Sequence, residues 1–299
     1  MNSRLSLAAA LALAPALASA NIDIVFDYSY DTNGFFGATH KSILESAASV
    51  FESRITDSLG EISSTTPNNF TTIFFNPSDI SGTDIALEYQ SIAADVLRIY
   101  VGADDLGSGT LGIGGPGGFN ASGFSNFFDT IDRGQAGVAT DTDFAPWGGA
   151  LAFNQAYANW YFDSDIATLE NFAGKADFYS VALHEIGHLL GIGTAPSWYR
   201  LVDTATHTFN GNFTGPQLLH ADNAHWNEGL NSPINGVGSF EAAMDPTLFL
   251  GTRKVFTDLD WNALRDIGWQ VAAVPEPGSW AMLLAGLTLV SGSIRSRRV

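Results

Sequence analysis

The stretch HEIGHLLGIGT, His184–Thr194, decides how this chain is understood. Its first five residues follow the pattern His-Glu-x-x-His, and histidines four residues apart on a helix lie on one face, where they can share one Zn²⁺. Glu185 lies about 100° around the helix from His184, close enough to reach a water molecule on the metal. The pattern predicts a zinc site formed by His184 and His188 with Glu185 as general base, although two ordinary helix histidines would have the same spacing.

A catalytic zinc takes three protein ligands and leaves one position for water, so a third ligand is required. Thr194 is a poor choice, because a neutral hydroxyl binds zinc weakly beside histidine or carboxylate. The alternatives lie downstream, and the segment LHADNAHWNEG at 219–229 holds four of them. The candidates are His207, His220, Asp222, His225, Glu228 and Glu241.

The sequence around this stretch predicts an α+β fold in two lobes with a cleft between them. An apolar helix over 177–191 carries the histidines, and Gly191 stops it. The N-terminal lobe, 21–191, contains a twisted mixed sheet and helices, and the C-terminal lobe, 192–272, is irregular and ends in a helix over 259–267. The other predicted elements are strands at 21–31, 71–75, 95–104, 148–154 and 158–163, and a helix at 40–59 that Gly60 closes.

The glycine-rich segment at 106–123 is predicted to be a flexible loop. Its glycines do not form a G-x-G-x-x-G pattern between a strand and a helix, and Pro116 interrupts them. The segment is therefore not a nucleotide-binding loop.

Charge and cysteine content exclude several classes of function. The net charge of −18, from 31 acidic and 13 basic side chains, argues against binding to nucleic acid or to anionic membranes. The chain has no cysteine, which excludes disulfides, a thiolate zinc site and a cysteine nucleophile.

Both ends of the chain have the composition of targeting segments. Residues 1–20 have a positive start at Arg4, an apolar stretch and the small-residue site Ala-Ser-Ala, which predicts a secretory signal peptide. At 273–299 a Pro-Glu-Pro triplet precedes about 16 mostly apolar residues and an arginine cluster, which predicts a short transmembrane helix with its basic end in the cytoplasm. The chain would contact a membrane through this segment alone.

The C-terminal segment resembles the PEP-CTERM sorting signal of Gram-negative bacteria. The triplet at 275–277, the apolar run and the arginines Arg295, Arg297 and Arg298 stand in the order of that signal. The resemblance implies transient anchoring in the inner membrane, processing by an exosortase-type enzyme, and a final place in the cell envelope or outside the cell. A plain C-terminal anchor is the alternative.

The segment HEIGHLLGIG and the strands before it resemble the metzincin metallopeptidases, in particular matrixins. Leishmanolysin-like metzincins insert a long segment before their third histidine, and 194–224 is similar to such an insert. The resemblance implies His225 as third zinc ligand, with His220 and then Asp222 as alternatives. It also implies that Met244, in EAAMDP, forms the methionine turn beneath the metal. The strand at 148–154 would be the sheet edge that pairs with an extended substrate.

The resemblance to matrixins also suggests a Ca²⁺ site at Asp163 and Asp165, because matrixins have calcium-binding loops at the corresponding place. The usual companion ligands are not evident in this sequence. The pair is predicted to form a solvated acidic turn, and a calcium site has no support from other residues.

Together these features predict a secreted zinc-dependent endopeptidase that hydrolyses peptide bonds with a zinc-bound water and Glu185 as general base. The alternative is a non-enzymatic surface or matrix protein with a structural zinc. Hydrolysis of another bond, such as an amide in a non-peptide polymer, is a third hypothesis.

Overall fold

The computed structural model describes residues 21–133, 142–163, 165–168 and 170–272, so the predicted signal peptide and C-terminal sorting segment lie outside it. The helices are α1 Ala38–Glu52, α2 Ser125–Ile131, α3 Phe178–Leu189, α4 Pro196–Tyr199 and α5 Asp258–Asp266. The strands are β1 Asp23–Asp27, β2 Asn69–Phe74, β3 Ile85–Leu87, β4 Val96–Asp104, β5 Gly112–Pro116, β6 Gly118–Ser122, β7 Gly148–Asn154, β8 Trp160–Tyr161, β9 Ala176–Asp177, β10 Val202–Asp203, β11 Thr208–Gly211, β12 Gly215–Leu218, β13 Asn231–Ile234 and β14 Val237–Glu241. Within these ranges no helix is both long and apolar enough to cross a membrane.

The central element is a mixed four-stranded sheet in the order β1-β4-β7-β5. β1, β4 and β7 are parallel, and β5 runs antiparallel to β7 at the edge. Alternate side chains of β4 face opposite sides: Ile99 packs with the helices, while Tyr100 stacks on Phe74 of β2, with ring centroids 4.1 Å apart. The smaller sheet β3-β2-β6 therefore covers the face opposite to the helices, and the predicted α+β class is confirmed.

Helix α3 is buried on nearly all sides, which explains why its sequence is apolar around its whole circumference. Asp177 caps its N-terminus by accepting a hydrogen bond from the backbone N–H of Ser180 at 3.3 Å. Its last turn is followed by Gly191 at φ +110°, a conformation that favours glycine, so the predicted stop is confirmed. The helix thereby presents its histidines at a fixed place beneath β5.

The prediction of a flexible loop at 106–123 is wrong, because this segment forms β5 and β6. A Cβ atom built at Gly114 would lie 2.4 Å from the backbone oxygen of Glu185. The glycines are needed for close approach of a strand to α3 rather than for flexibility.

The prediction that β7, Gly148–Asn154, is the edge of the sheet is also wrong. The strand itself has the predicted limits, but it lies between β4 and β5 and every residue in it is buried. The edge strand is β5, which lies in the glycine-rich segment predicted to be a loop. Without β5 in the predicted sheet, β7 takes the edge position.

Helix α1 ends at Glu52, well before the predicted stop at Gly60. Residues 54–57 instead pair with the segment after α5: Thr56 N–H donates to the Gln270 carbonyl at 2.8 Å, and Ala272 N–H donates to the Arg54 carbonyl at 2.7 Å. The residues predicted to form the last turns of the helix therefore pair instead with a segment more than 200 residues later.

The predicted solvated turn at Asp163 is wrong as well. Asp163 is 5% exposed, and its carboxylate lies 2.8 Å from a guanidinium nitrogen of Arg253, which also binds both carboxylate oxygens of Asp177. The partner is 90 residues away in sequence, which is why local composition did not reveal it. A single cation thus joins the turn at 163 to the N-terminus of α3.

The part of the chain predicted to be an irregular lobe, 192–272, is more regular than expected, because it contains α4, the sheet β10-β11-β12 and the hairpin β13-β14 before α5. The buried carboxylate of Asp260 in α5 joins several segments of this part. Asp260 forms a capping box with Thr257, accepting bonds from its backbone N–H and its hydroxyl. It also accepts bonds from the backbone N–H groups of Ala243 and Met244 and from the indole N–H of Trp226, all five at 2.8–3.2 Å. Burial raises the pKa of Asp260 above its usual range, although these bonds act to lower it.

Replacing Asp260 with alanine is expected to destabilise the protein by at least about 3 kcal/mol, because five buried donors lose their acceptor. Denaturant unfolding monitored by tryptophan fluorescence measures this change. The Asp84→Ala variant is the control, since Asp84 is exposed. Equal unfolding free energies for the two variants would contradict the assigned role of Asp260.

Candidate metal site

Three imidazoles converge at the middle of α3. His184 and His188 come from this helix, and His225 comes from the segment between β12 and β13. The Nε2 atom of His188 lies 3.0 Å from Nε2 of His184 and 3.0 Å from Nε2 of His225. Two nitrogens bound at about 2.0–2.1 Å to one tetrahedral ion lie about 3.3 Å apart. The spacing fits a small ion shared by the three rings, and these are the residues that form a candidate metal group in the described chain.

Each imidazole is oriented through its other ring nitrogen. The Nδ1 atoms of His184 and His188 lie 2.8 Å from the backbone oxygens of Ala243 and Ile192, and Nδ1 of His225 lies 2.8 Å from a carboxylate oxygen of Asp222. All three partners are acceptors, so each Nδ1 carries the proton and each Nε2 presents a lone pair to the centre. Two ordinary helix histidines would not require this common tautomer.

Burial keeps the helix histidines uncharged. Desolvation, aided by the neighbouring imidazoles, lowers the pKa of His184 well below its usual value and lowers that of His188 to about 4. A metal ligand must be the neutral imidazole, so the site favours the form that can bind a cation.

His225 is held in place by the backbone around it. Its neighbour Trp226 donates its backbone N–H to the Met244 carbonyl at 3.0 Å and its indole N–H to Asp260. Asp222 accepts bonds from the backbone N–H groups of Ala224 and His225. Partial burial acts to raise the pKa of Asp222, but these bonds and the nearby imidazoles lower it below its usual value, so it stays a carboxylate.

The structure places the other candidate ligands away from the centre. Asp222 binds the outer nitrogen of His225 and also the Nδ1 atom of His220, whose side chain is 44% exposed. Thr194 donates its hydroxyl to the carbonyl of His188 at 2.6 Å. The remaining candidates His207, Glu228 and Glu241 bond to Asn223, Thr247 and Lys254.

Glu185 lies beside the histidines at the wall of a cavity of about 590 Å³ that β5, α3 and the 243–248 segment border. Its carboxylate is buried against β5, where the Gly114 backbone N–H donates to it. Desolvation raises the pKa of Glu185 to about 8, and the Gly114 bond only partly offsets this. A group with such a pKa can both take up and release a proton near neutral pH.

Met244 is fully buried and packs against α3 at Gly187, between the two helix histidines in sequence. A Cβ atom at Gly187 would lie 2.5 Å from the Met244 sulfur. Its backbone neighbour Ala243 accepts the bond from His184, so this turn both supports and orients the helix side of the site. Apart from its place within the 219–229 segment, no feature of the sequence indicates that Asp222 orients His225.

A family model for the PEP-CTERM protein-sorting motif matches residues 273–298. The protein is therefore exported with a C-terminal sorting signal, in line with a Gram-negative bacterium, and the motif implies recognition by an exosortase. The expected signal peptide stays a prediction. No curated protein and no solved structure matches the chain.

Substituting His225 with alanine is expected to weaken zinc binding by at least about 100-fold, because one of three converging nitrogens is lost. Competition with a chromophoric chelator gives the affinity. The matched control is His220→Ala, five residues earlier on the same segment, which should bind zinc within a few-fold of the wild type. If the effects of the two variants are reversed, His220 is the ligand.

The Asp222→Ala variant should bind zinc about 10–100-fold more weakly than the wild type, since His225 would lose the acceptor that fixes its ring. The same chelator competition applies. An affinity equal to that of the wild type would show that the backbone alone orients His225.

Proposed function

We propose that this protein is an exported metallopeptidase that hydrolyses peptide bonds in extended protein segments. The observation that carries the proposal is the convergence of three Nε2 atoms, on His184, His188 and His225, beside the buried carboxylate of Glu185 in an open cleft. Three histidines with one position left for water are a typical ligand set of a catalytic zinc. The proposal includes a metzincin-like fold, which the mixed sheet with its antiparallel edge and the position of Met244 against α3 support.

The donor set fits zinc rather than a hard cation. All three ligand atoms are neutral imidazole nitrogens, whereas calcium and magnesium prefer oxygen ligands. Zinc bound here would polarise a substrate carbonyl and lower the pKa of its bound water.

Glu185 is the residue that would move the proton. Its carboxylate accepts a proton from the attacking water and then delivers it to the amine nitrogen of the leaving group as the peptide C–N bond breaks. Burial excludes bulk water from this carboxylate, and the Gly114 N–H fixes its position. The His184, His188 and His225 rings would hold the metal through their Nε2 atoms, with their Nδ1 protons directed to Ala243, Ile192 and Asp222.

The free edge of β5 offers a place for an extended substrate. The Asn154 N–H donates to the Leu111 carbonyl, so in an antiparallel pair Ile113 and Gly115 also bond to β7. Gly112 and Gly114 then direct their backbone groups to the open side, as the bond from Gly114 to Glu185 requires. A peptide added to this edge would lie along the cleft and pair with the outward backbone groups of Gly112 and Gly114 other than the Gly114 N–H, which donates to Glu185.

The non-enzymatic alternative, a surface protein with a structural zinc, calls for a closed site with four protein ligands. The candidate metal group of the described residues contains three histidines, and it borders an open cavity. A buried general base also has no purpose in a structural site, so no observation favours this alternative.

The Glu185→Gln variant is expected to hydrolyse an unstructured protein substrate at least about 100-fold more slowly than the wild type, while keeping one zinc per chain, because only the proton carrier is lost. Digestion followed by electrophoresis and metal analysis of the same samples measure both quantities. The control is Glu45→Gln, at an exposed position of α1. Equal digestion rates for wild type and Glu185→Gln would refute the proposed function.

A further inference from the structure

Strand β5 contains three glycines, Gly112, Gly114 and Gly115, and they differ in what a side chain at each position would meet. We propose that Gly112 is a positioning residue for Glu185: the absence of a side chain at this position leaves the space that the glutamate side chain occupies. The proposal rests on the proposed function and deepens it, since it assigns a role to the glycine-rich segment that the zinc ligands do not explain.

The contact between Gly112 and Glu185 involves side-chain atoms alone. A Cβ atom built at Gly112 would lie 2.8 Å from Cγ, 2.8 Å from Oε1 and 3.0 Å from the carboxyl carbon of Glu185. These distances are shorter than van der Waals contact, so an alanine at 112 requires the glutamate side chain to move. The end of a flexible side chain moves at little energetic cost, and therefore the fold survives while the carboxylate leaves its position.

The next glycines on the same strand behave differently. At Gly114 the nearest atoms to a built Cβ are the backbone oxygen and carbon of Glu185, at 2.4 and 2.9 Å, and a helix backbone cannot yield in this way. At Gly115 a built Cβ has no neighbour within 4 Å. Gly112 thus affects the catalytic carboxylate, Gly114 affects the packing of strand on helix, and Gly115 affects neither.

The register of the sheet fixes this arrangement. Gly112 is paired with Phe153 and Gly114 with Leu151, both in the fully buried strand β7. The Gly114 N–H restrains the carboxylate of Glu185 from one side, and the space over Gly112 determines where its methylene groups pass. Because the proposed substrate pairs with the same strand, the base and the scissile bond are located by one element.

Steady-state kinetics of the purified protein on an unstructured protein substrate test the proposal. Gly112→Ala is expected to lower kcat at least about 10-fold, since a small displacement of a catalytic group has a large effect on rate, with KM and zinc content within twofold of the wild type. Gly115→Ala, on the same strand but outside the cavity wall, should keep all three values. A kcat for Gly112→Ala equal to that of Gly115→Ala would overturn the proposal.

A thermal unfolding cycle tests the same contact without activity. Gly112→Ala should lower Tm by about 2–4 °C in the wild type, which corresponds to modest strain in a chain of this size. The loss should disappear in the Glu185→Ala background, where the obstructing atoms are absent. An equal loss in both backgrounds would overturn the proposal.

The two experiments separate the two proposals. If the wild type hydrolyses no peptide bond, the proposed function fails, and the unfolding cycle still decides whether Gly112 and Glu185 are coupled. If Gly112→Ala does not fold, recovery of folding in the Glu185→Ala background supports the contact, and failure to recover overturns it.

Discussion

The hydrogen bonds to the buried carboxylate of Asp260 are the interactions on which the position of His225, the third candidate ligand, depends. Helix α3 supplies two histidines from one rigid element, whereas His225 lies in the connection between β12 and β13. Asp260 joins the start of α5, the turn at Ala243 and Met244, and the indole of Trp226. Since Ala243 orients His184 and Trp226 neighbours His225, one buried carboxylate aligns both sides of the cleft. A buried polar group that accepts this many hydrogen bonds favours one arrangement of the segments that it joins.

Elements with a strong local pattern were predictable from the sequence. The limits of β7 were predicted to the residue, and α3 and α5 lie within one or two residues of their expected ends. Their signals, namely alternation, apolar periodicity and a terminal glycine, are properties of short windows. The prediction of a loop for the glycine-rich segment is wrong because its glycines allow close contact with a helix about 70 residues later in the sequence. No short window of sequence contains both partners of that contact. The mistaken choice of edge strand followed from that error.

The residues of the candidate site also fall into those that local sequence predicts and those that only tertiary contacts reveal. The helix spacing of His184, Glu185 and His188 sufficed to place them together, whereas residue chemistry left six candidates for a third ligand. The choice of His225 came from resemblance, and the structure brings that residue beside the other two. The orienting role of Asp222 and the guanidinium partner of Asp163 depend on contacts that only the folded chain creates.

The pairing of residues 54–57 with the segment after α5 has a mechanical consequence. The matched sorting motif begins at residue 273, directly after Ala272, whose N–H is bonded to the Arg54 carbonyl. No spacer separates the folded body from the segment that an exosortase recognises. Tension applied from the C-terminal side is carried first by this bond and then by the bond between Thr56 and Gln270. Because the bonds of an antiparallel pair are loaded one after another when one chain end is pulled, they would open in sequence rather than together.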